Sequence, residues 1–310
     1  MSRSSSKHRP RWADLSGSQR RAIEEVVGGA VVRAVTCTGG FSPGFASRLL
    51  LVDRRQVFVK AMDLRAWPDQ GDAYCREILI NNALPPNVPA PRILASAQTD
   101  AFVVVAFEAL DGLEPRQPWV RSELDRVFQA LDVLGAMEAP DSLNMPDDHP
   151  RLGGWAEIAT DDLALATLAA RFPWAFARIV DLVTWEQRGS AAARGRTLTH
   201  FDLYAHNLLL TSTGTFIVDW PHARAAASFV DTVMLLSTAN SGNDSERLWR
   251  QRPISSLADP DDVTAVLVAH AGFCAAGAVW PTTPGLEPIT AAKNTLARGA
   301  LAWLKQRWTV

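Results

Sequence analysis

Hydrophobic and polar residues alternate differently on the two sides of residue 112. Before it, apolar runs at 31–36, 46–52 and 56–61 are separated by the Gly-rich stretch TGGFSPG and by DRR. Short apolar runs between such turn residues are typical of β-strands. Two further runs, VPAPRILASAQ and AFVVVAFEALDG, bring the predicted number of strands to five.

Two helices are predicted within this first part. A short amphipathic one over 16–29 has a Ser start and a Gly stop. The other begins at Asp69, carries apolar residues at Ile78, Leu79 and Leu84, and ends at two prolines. Apolar spacing of this kind with capping residues predicts α-helices. The five strands and the internal helix at 69 are small enough to form one lobe around a mixed sheet.

After residue 112 the apolar spacing becomes helical. The predicted helices lie at 118–139, 154–170, 174–188, 229–238, 261–279 and 289–307. The segment 263–280 has no formal charge, and we expect Asp261 or Asp262 to cap it and Pro281 to end it. Its Ala and Gly content and its His270 favour a buried core helix over a membrane span. The fold class is therefore α+β, with strands in this second part only around residues 199–220.

Composition narrows the class of function. The 310 residues include 31 Lys and Arg and 33 Asp and Glu, a formal net charge of −2, without a basic cluster interleaved with aromatics. Nucleic-acid binding is not expected from such a balance, and neither is a membrane partner. Cys37, Cys75 and Cys274 are widely spaced, which favours a reducing cytoplasm over a disulfide framework. The Ser-rich start, residues 1–14, predicts a disordered tail and not a signal peptide.

The segment THFDLYAHNLLLTSTGTFIVDW, residues 199–220, carries the strongest chemical signal. Two short apolar strands surround a Thr/Ser/Gly turn, and polar residues stand at their ends: His200, Asp202, Asn207 and Asp219. A rigid hairpin can aim one carboxylate at a reacting hydroxyl and supply amide and carboxylate oxygens to a magnesium ion. His200 is expected to support the loop by hydrogen bonds.

Upstream residues supply the remaining parts of a phosphoryl-transfer site. Gly39, Gly40 and Gly44 allow backbone N–H groups to approach phosphate oxygens closely. Lys60, which we expect at the end of the strand QVFVK, can point toward those phosphates, and Glu77 on the next helix can pair with it. Each feature alone also fits an ordinary turn, a strand-end lysine or a solvated glutamate.

A metal-hydrolase cluster is the rival chemistry. His200, His206 and His222 with Asp202 and Asp219 provide imidazole and carboxylate ligands of the right kind. That interpretation leaves the upstream Gly-rich turn and lysine strand without a function, so the combination of motifs favours phosphoryl transfer.

Taken together, these motifs resemble those of the aminoglycoside phosphotransferase-like kinases, which phosphorylate small molecules. LTHFDLYAHNLLL is similar to their catalytic loop, FIVDW to their metal-binding segment, VFVK to their nucleotide lysine strand and FEALDG to their hinge. The resemblance covers roughly residues 30–240 and implies a two-lobed protein-kinase-like fold. A nucleotide-binding lobe would span 15–110, with a hinge at about 106–112, and a mainly helical catalytic and acceptor lobe 113–310.

The same resemblance implies residue roles and cofactors. Asp202 would be the catalytic base or hydroxyl-orienting carboxylate, and Asn207 and Asp219 the Mg²⁺ ligands. Lys60 would contact the phosphates of the donor, ATP or GTP, with Glu77 as its partner.

Further roles follow from the resemblance for the loops and the hinge. Gly39, Gly40 and Ser42 would lie near the phosphates, and Asp231 would brace the catalytic loop together with His200. Backbone groups of the hinge would bind the adenine or guanine base: Phe107, Glu108, Ala109 and Leu110. Phe201 stands where these enzymes often have Gly, and ARAAAS lacks their Gly before the bracing Asp.

The acceptor is expected to be a small molecule with a hydroxyl group, foremost a natural-product antibiotic. A metabolite kinase for choline, homoserine or an aminosugar is the nearest alternative, and a catalytically silent nucleotide-binding module is one of another class. The ending RWTV lacks the acidic residues of some aminoglycoside-modifying members, which argues against a polycationic acceptor. Only 12 positions separate Asp219 from Asp231, too few for the activation loop of a protein kinase. The oligomeric state does not follow from the sequence.

Overall fold

The computed structural model describes residues 9–37, 42–143, 151–238, 244–280 and 287–308. The chain forms two compact units, the first made of Met1–Glu114 and His206–His222 and the second of Pro115–Ala205 and Ala223–Val310. The strongest sequence motif is thus divided between the units: residues 206–220 belong to the first unit, and residues 199–205, which include His200 and Asp202, belong to the second. The predicted lobes, 15–110 and 113–310, stay a prediction.

The first unit is built on a five-stranded sheet. Its strands are β1 (Val31–Thr36), β2 (Phe45–Leu51), β3 (Gln56–Asp63), β4 (Ile93–Gln98) and β5 (Phe102–Glu108). The order in the sheet is β1-β2-β3-β5-β4, and every neighbouring pair is antiparallel. The five predicted strands are confirmed, but the expected mixed sheet was wrong, because β4 lies at the edge and β5 returns between β3 and β4 in the antiparallel direction.

Two helices accompany this sheet, α1 (Gly17–Val27) and α2 (Pro68–Ala83). Ser16 caps α1 by accepting a hydrogen bond from the Gln19 amide, and Gly28 ends it in the left-handed conformation at φ 65°. Pro68 occupies the first turn of α2, where no N–H is needed. Residues of the stretch predicted as a disordered tail form a short 3₁₀ helix, Trp12–Asp14, and the Trp12 ring lies 6.0 Å from that of Phe45.

A small three-stranded sheet completes the first unit. It consists of β6 (Gly112–Leu113), β8 (Leu208–Thr211) and β9 (Thr215–Ile217), in the order β6-β8-β9. The β8–β9 hairpin closes with Thr211, whose hydroxyl accepts hydrogen bonds from the amides of Thr213 and Gly214. This is the predicted strand pair of the motif.

The second unit is mainly helical. Its helices are α3 (Arg121–Gly135), α4 (Trp155–Thr160), α5 (Asp162–Arg171), α6 (Pro173–Phe176), α7 (Ile179–Ala192), α8 (Val230–Thr238), α9 (Ser245–Arg250), α10 (Pro260–Val279) and α11 (Glu287–Arg307). Two short strands, β7 (Thr197–Thr199) and β10 (Arg224–Ala226), pair antiparallel. The sheet in the first unit and the helices in the second confirm the α+β class. The strands β7 and β10 were not predicted because each has only three residues.

Helix α10 is the central helix of the second unit and packs against α7 and α11. It is long and apolar enough to cross a membrane by composition alone, yet most of its residues are buried in the protein. The predicted cap was wrong: Asp259 caps the helix by accepting from the amides of Asp261 and Asp262, because Pro260 occupies the first helical position. The prediction of a buried core helix is confirmed.

Candidate active site

Lys60, Glu77 and Asp219 form a charged cluster in the first unit. Lys60 lies within β3, which runs three residues beyond the predicted strand end, and Glu77 lies on α2. The Lys60 ammonium donates to both Glu77 carboxylate oxygens at 2.7 and 2.9 Å and to Asp219 Oδ1 at 2.8 Å. The predicted ion pair of Lys60 and Glu77 is therefore present, and Asp219 joins it from 159 residues away.

Burial makes this cluster electrostatically strong. The Lys60 and Glu77 side chains are 15% and 3% exposed, so little water screens their charges. Burial lowers the pKa of Lys60, but the charges of Asp219 and Glu77 outweigh it and raise that pKa above its ordinary value. Burial raises the pKa of Glu77, against the opposing charge of Lys60. At neutral pH the lysine is held as an ammonium ion.

The β8–β9 hairpin brings Asn207 and Asp219 to the same place. Asn207 ends a short 3₁₀ helix just before β8, and Asp219 follows β9 by two residues. The Val218 amide donates to the Asn207 carbonyl at 2.9 Å, which ties the two ends of the hairpin together. Asp219 has a left-handed backbone at φ 68°, rare for a non-glycine residue and typical of functional sites.

A cavity of about 650 Å³ opens beside this cluster, lined by residues of the first unit. Its lining contains the charged cluster together with Asn207. It also contains three of the four residues predicted for the hinge: Phe107, Glu108 and Leu110. Ala109 and Ser42 are not among its lining residues in the part of the chain that the structure describes. Five of the residues predicted for the nucleotide site thus line one cavity: Lys60, Glu77, Phe107, Glu108 and Leu110.

The hinge groups have partners of their own. Glu108 accepts hydrogen bonds from the Arg92 amide at 2.9 Å and from its guanidinium at 3.2 Å. The Leu110 carbonyl accepts from Arg48 Nη2, and Arg48 also approaches Asp111 at 4.0 Å. Arg48 therefore places a positive charge beside Leu110 in the lining of the cavity.

The Gly-rich loop is described only in part. Gly39 and Gly40 lie outside the described residues. Ser42 Oγ forms a hydrogen bond of 2.8 Å with Tyr74 Oη of α2 and accepts from the Gly44 amide at 3.2 Å. A Cβ on Gly44 would come within 2.8 Å of the Ala61 carbonyl oxygen, so only glycine fits against β3 at this position.

Oxygen donors suitable for a magnesium ion are present in the cavity. The Asp219 side chain is 45% exposed, and Asn207 lines the same space with its amide. One carboxylate and one amide suit Mg²⁺, which keeps waters and substrate phosphates as its other ligands. The described residues contain no group of three or more His, Cys, Asp and Glu arranged to hold a metal. Within those residues the metal-hydrolase alternative has no support.

Asp202 lies in the second unit and is paired with an arginine. Arg151 Nη2 donates to Asp202 Oδ2 at 2.7 Å, with the two side chains 18% and 12% exposed. The segment after β7 that carries Asp202 is buried throughout, from His200 to Tyr204. The candidate base is therefore fixed in position and largely buried.

Asp231 holds the backbone of this segment. Its carboxylate accepts from the amides of His200 and Phe201 at 2.7 and 2.9 Å. Phe201 has a left-handed backbone at φ 63°, and its ring lies under the Arg224 guanidinium at 4.7 Å. The bracing contact predicted for Asp231 is thus observed, although the preceding Gly is missing. Burial raises the pKa of Asp231, while His200 and the two donated hydrogen bonds oppose that shift.

The family follows from the match of the chain to known proteins. The model of the phosphotransferase enzyme family, known as APH, matches residues 40–261. The chain belongs to this family. It is accordingly a kinase that transfers phosphate to a hydroxyl group. No curated protein matches the chain.

Solved structures of similar fold support this assignment. A thermostable mutant of aminoglycoside phosphotransferase APH(4)-Ia, in complex with AMP-PNP and hygromycin B, matches with a TM-score of 0.61 at 15% identity, over 92% of this chain and 99% of that one. A choline/ethanolamine kinase family protein from Mesorhizobium loti matches with 0.54 at 14% identity, over 93% and 98%. A fructosamine-3-kinase homologue from Haemophilus somnus matches with 0.50 at 10% identity, over 90% and 96%. The phosphotransferase therefore has the protein-kinase-like fold.

Two arginines, one in each unit, were missed from the sequence. Arg48 stands in the apolar strand FASRLLL, where an isolated charge is a signal that could have been followed. Arg151 offers no comparable signal, because its contact to Asp202 spans 51 residues.

Proposed function

We propose that this phosphotransferase moves the γ-phosphoryl group of ATP or GTP to the hydroxyl of a small molecule. The observation that carries the proposal is the cluster of Lys60, Glu77 and Asp219 beside one cavity with Asn207. Phosphoryl transfer needs charge neutralisation and positioning more than covalent help from the protein, and this cluster supplies both.

The cavity is the proposed nucleotide site. Its volume of about 650 Å³ lies within the usual range of small-molecule pockets. Phe107 provides an apolar face next to the Lys60 ammonium, which lies 6.0 Å from its ring centroid. We assign the base to the side of Phe107 and Leu110 and the phosphates to the side of Lys60, with Gly39, Gly40 and Ser42 in the covering loop.

Asn207 and Asp219 would hold Mg²⁺. When bound, the ion neutralises charge on the donor phosphates. The Lys60 ammonium would bind phosphate oxygens of the donor. Glu77 and Asp219 both accept hydrogen bonds from this ammonium, and two acidic neighbours fix its position better than one would. Asp219 is therefore proposed to serve the lysine and the metal.

Asp202 is proposed as the group that accepts a hydrogen bond from the hydroxyl of the small-molecule substrate. A carboxylate in this role orients the nucleophile and takes its proton as the bond to phosphorus forms. Asp231 and His200 act as positioning residues, because the Asp231 hydrogen bonds fix the backbone immediately before Asp202.

The class of acceptor is inferred from the similar structures. Among them are a phosphotransferase bound to hygromycin B and an amicoumacin kinase bound to its substrate, as well as proteins of the choline/ethanolamine kinase and fructosamine-3-kinase type. We propose a natural-product antibiotic as acceptor, in resistance or self-protection, with a metabolite kinase as the second candidate. A cytoplasmic location accords with the three separated cysteines, none of which forms a disulfide.

Nucleotide binding and turnover test this proposal separately. Purified protein is titrated with a fluorescent ATP analogue and a GTP analogue, with and without Mg²⁺, and slow nucleotide hydrolysis is followed in parallel. Lys60→Met should weaken binding, whereas Asp202→Asn should bind normally and lose hydrolysis. Binding without hydrolysis in the wild type would favour a catalytically silent binding module. Absence of binding would overturn the proposal.

A further inference from the structure

Two cations and an aromatic ring lie together in the second unit, where one of the cations pairs with Asp202, and the proposed mechanism uses none of the three. They are Arg151, Lys293 on α11 and Phe273 on α10. We propose that Arg151 and Lys293 form a binding subsite for an anionic oxygen group of the acceptor, so that the acceptor is a hydroxylated carboxylate or phosphate compound. This inference deepens the proposed function and rests on Asp202 as the residue that receives the hydroxyl.

Arg151 is held beside Asp202, the proposed catalytic base, and one of its nitrogens can still donate a hydrogen bond to a ligand. One nitrogen binds Asp202 Oδ2 at 2.7 Å, and the guanidinium carbon lies 5.1 Å from the centre of the Phe273 ring. Its Nε is buried and has no hydrogen-bond partner among the residues that the structure describes. A buried donor left in this state is costly, and a guanidinium binds planar oxyanions through two nitrogens at once.

Lys293 approaches the same ring from α11. Its ammonium lies 3.6 Å from the centre of the Phe273 ring and 5.9 Å from that of Tyr204. Within the described parts of the chain, no carboxylate comes within ion-pair distance of it. Gly277 makes room for the stem of this lysine, since a Cβ there would lie 2.9 Å from Lys293 Cγ. The lysine is therefore packed into place without an acidic partner.

Counted over the residues that the structure describes, the charge balance of this cluster is positive. With Lys293 as an ammonium, Arg151 and Lys293 bring two positive charges against the one negative charge of Asp202. Burial and the charge of Arg151 lower the pKa of Lys293, and a bound anion would oppose that shift. His270, whose Nδ1 lies 3.4 Å from the Arg151 carbonyl oxygen, adds no charge at neutral pH, because burial and the charge of Lys293 lower its pKa to about 4. Burial raises the pKa of both Tyr204 and Cys274, so these neighbours are neutral too.

A half-buried positive charge that no described acidic residue balances favours ligands of opposite charge. It attracts a carboxylate or phosphate and repels an amine, and like-charge juxtaposition is an effective way to reject wrong partners. The second part of the chain as a whole is mildly acidic, with 17 basic and 22 acidic residues over 113–310. The positive charge of Arg151 and Lys293 is therefore a local feature, opposite in sign to the net charge of this part of the chain.

A binding experiment on one sugar scaffold tests the subsite. Glucuronate, glucose 6-phosphate, glucose and glucosamine share a pyranose ring and differ in charge. Each is titrated calorimetrically into the full-length protein, with and without AMP-PNP and Mg²⁺. We compare the wild type with Lys293→Met, Lys293→Gln and Arg151→Met. Lys305→Met is the matched control, because Lys305 is an exposed lysine on the same helix.

The wild type should bind glucuronate or glucose 6-phosphate more tightly than glucose, and glucosamine least. Removal of either cation should lower the affinity for the anionic probe about tenfold, which is the effect of losing one charge-assisted contact. Glucuronate and glucose 6-phosphate together distinguish a carboxylate from a phosphate preference. Probes that bind only without AMP-PNP occupy the nucleotide cavity and count against the subsite.

Two results would overturn the subsite while the proposed function stands: AMP-PNP binds but neither anionic probe does, or the anionic probes bind equally well to wild type and to all three variants. Failure of AMP-PNP to bind at all would instead refute the proposed function. In that case, the anion site itself would still be supported if both Lys293 variants no longer bound the anionic probe and Lys305→Met bound it as tightly as the wild type does.

Discussion

Lys60 and Asp219 are 159 residues apart in sequence and are joined by a hydrogen bond of 2.8 Å from the ammonium to Oδ1. The same ammonium binds both oxygens of Glu77. One lysine thus connects the five-stranded sheet, α2 and the hairpin of β8 and β9. These three elements carry the proposed nucleotide site, so its geometry and the stability of the first unit depend on the same contacts.

Removal of the lysine should destabilise the protein. In Lys60→Met the Glu77 carboxylate remains buried without its cation, and we expect the free energy of unfolding to fall by about 3 kcal/mol. Urea denaturation followed by circular dichroism measures it. The double variant Lys60→Met/Glu77→Leu should recover much of the loss, because no charge is left unpaired. A double variant less stable than the single one would contradict this account of the pair.

Asp202→Asn should separate chemistry from binding. The amide keeps the size of the side chain but cannot accept a proton from the acceptor hydroxyl, so turnover should fall about 10²- to 10⁴-fold. Nucleotide affinity should change by less than about threefold, since no proposed donor contact is lost. The rate is measured by nucleotide consumption and the affinity by fluorescence titration. Retained turnover in the purified variant would show that another group takes the proton.

Asp231 should act on catalysis through the backbone. Asp231→Ala leaves the buried amides of His200 and Phe201 without their acceptor, which should cost about 2 kcal/mol of stability. Because Phe201 is held at φ 63°, the loop should relax and kcat should fall with little change in nucleotide affinity. Asp231→Asn retains one acceptor oxygen and should recover part of both losses. Asp181→Ala, an exposed aspartate on α7, is the control.

If Asp231→Ala lowered stability but left kcat unchanged, its role would be structural only. Equal behaviour of the Asn and Ala variants would show that the carboxylate charge, and not its hydrogen bonds, is what the loop requires.

His270 should make folding stability depend on pH. Its pKa is lowered from 6.5 to about 4 by burial and by the charge of Lys293. Between these values the unfolded chain binds a proton that the folded protein does not, so stability rises with pH across this window and is lost as the pH falls from 6.5 toward 4. The contribution of this imidazole amounts to about 3 kcal/mol.

Urea unfolding of wild type and His270→Gln at pH 7.0 and pH 4.5 measures this contribution, because groups common to both proteins cancel in the comparison. The variant should lose less stability than the wild type on acidification. An identical loss in the two proteins would show that the imidazole is not buried in its neutral form.

Local patterns of the sequence predicted most of the fold. Strand β1 was predicted with its observed ends, because the apolar run between Gly-rich turns is a short-range signal. The pairing of Lys60 with Glu77 was also within reach, since a strand followed directly by a helix brings the two residues together. The antiparallel direction of β4 and β5 could not be predicted, because strand order depends on contacts across the whole sheet.

Long-range contacts of single side chains escaped prediction. Arg151 meets Asp202 across 51 residues and Lys293 reaches the ring of Tyr204 from a distant helix, and neither stands in a motif. The sequence predicted the helix of Lys293 from its apolar residues, but periodicity says nothing of which polar residue on that helix meets another element. The identity of the acceptor depends on such contacts, which explains why reaction type could be predicted and acceptor charge could not.

Product analysis by mass spectrometry tests the central claim, phosphoryl transfer to a small-molecule hydroxyl. Wild type and Asp202→Asn are incubated with Mg²⁺ and either ATP or GTP, together with a mixture of hydroxyl compounds that includes antibiotics, metabolic alcohols and hydroxy acids. We predict a phosphate ester of at least one compound with the wild type and none with the variant. The claim would be contradicted if the wild type bound nucleotide and Mg²⁺ but formed no ester, or if the variant formed the same ester at the same rate.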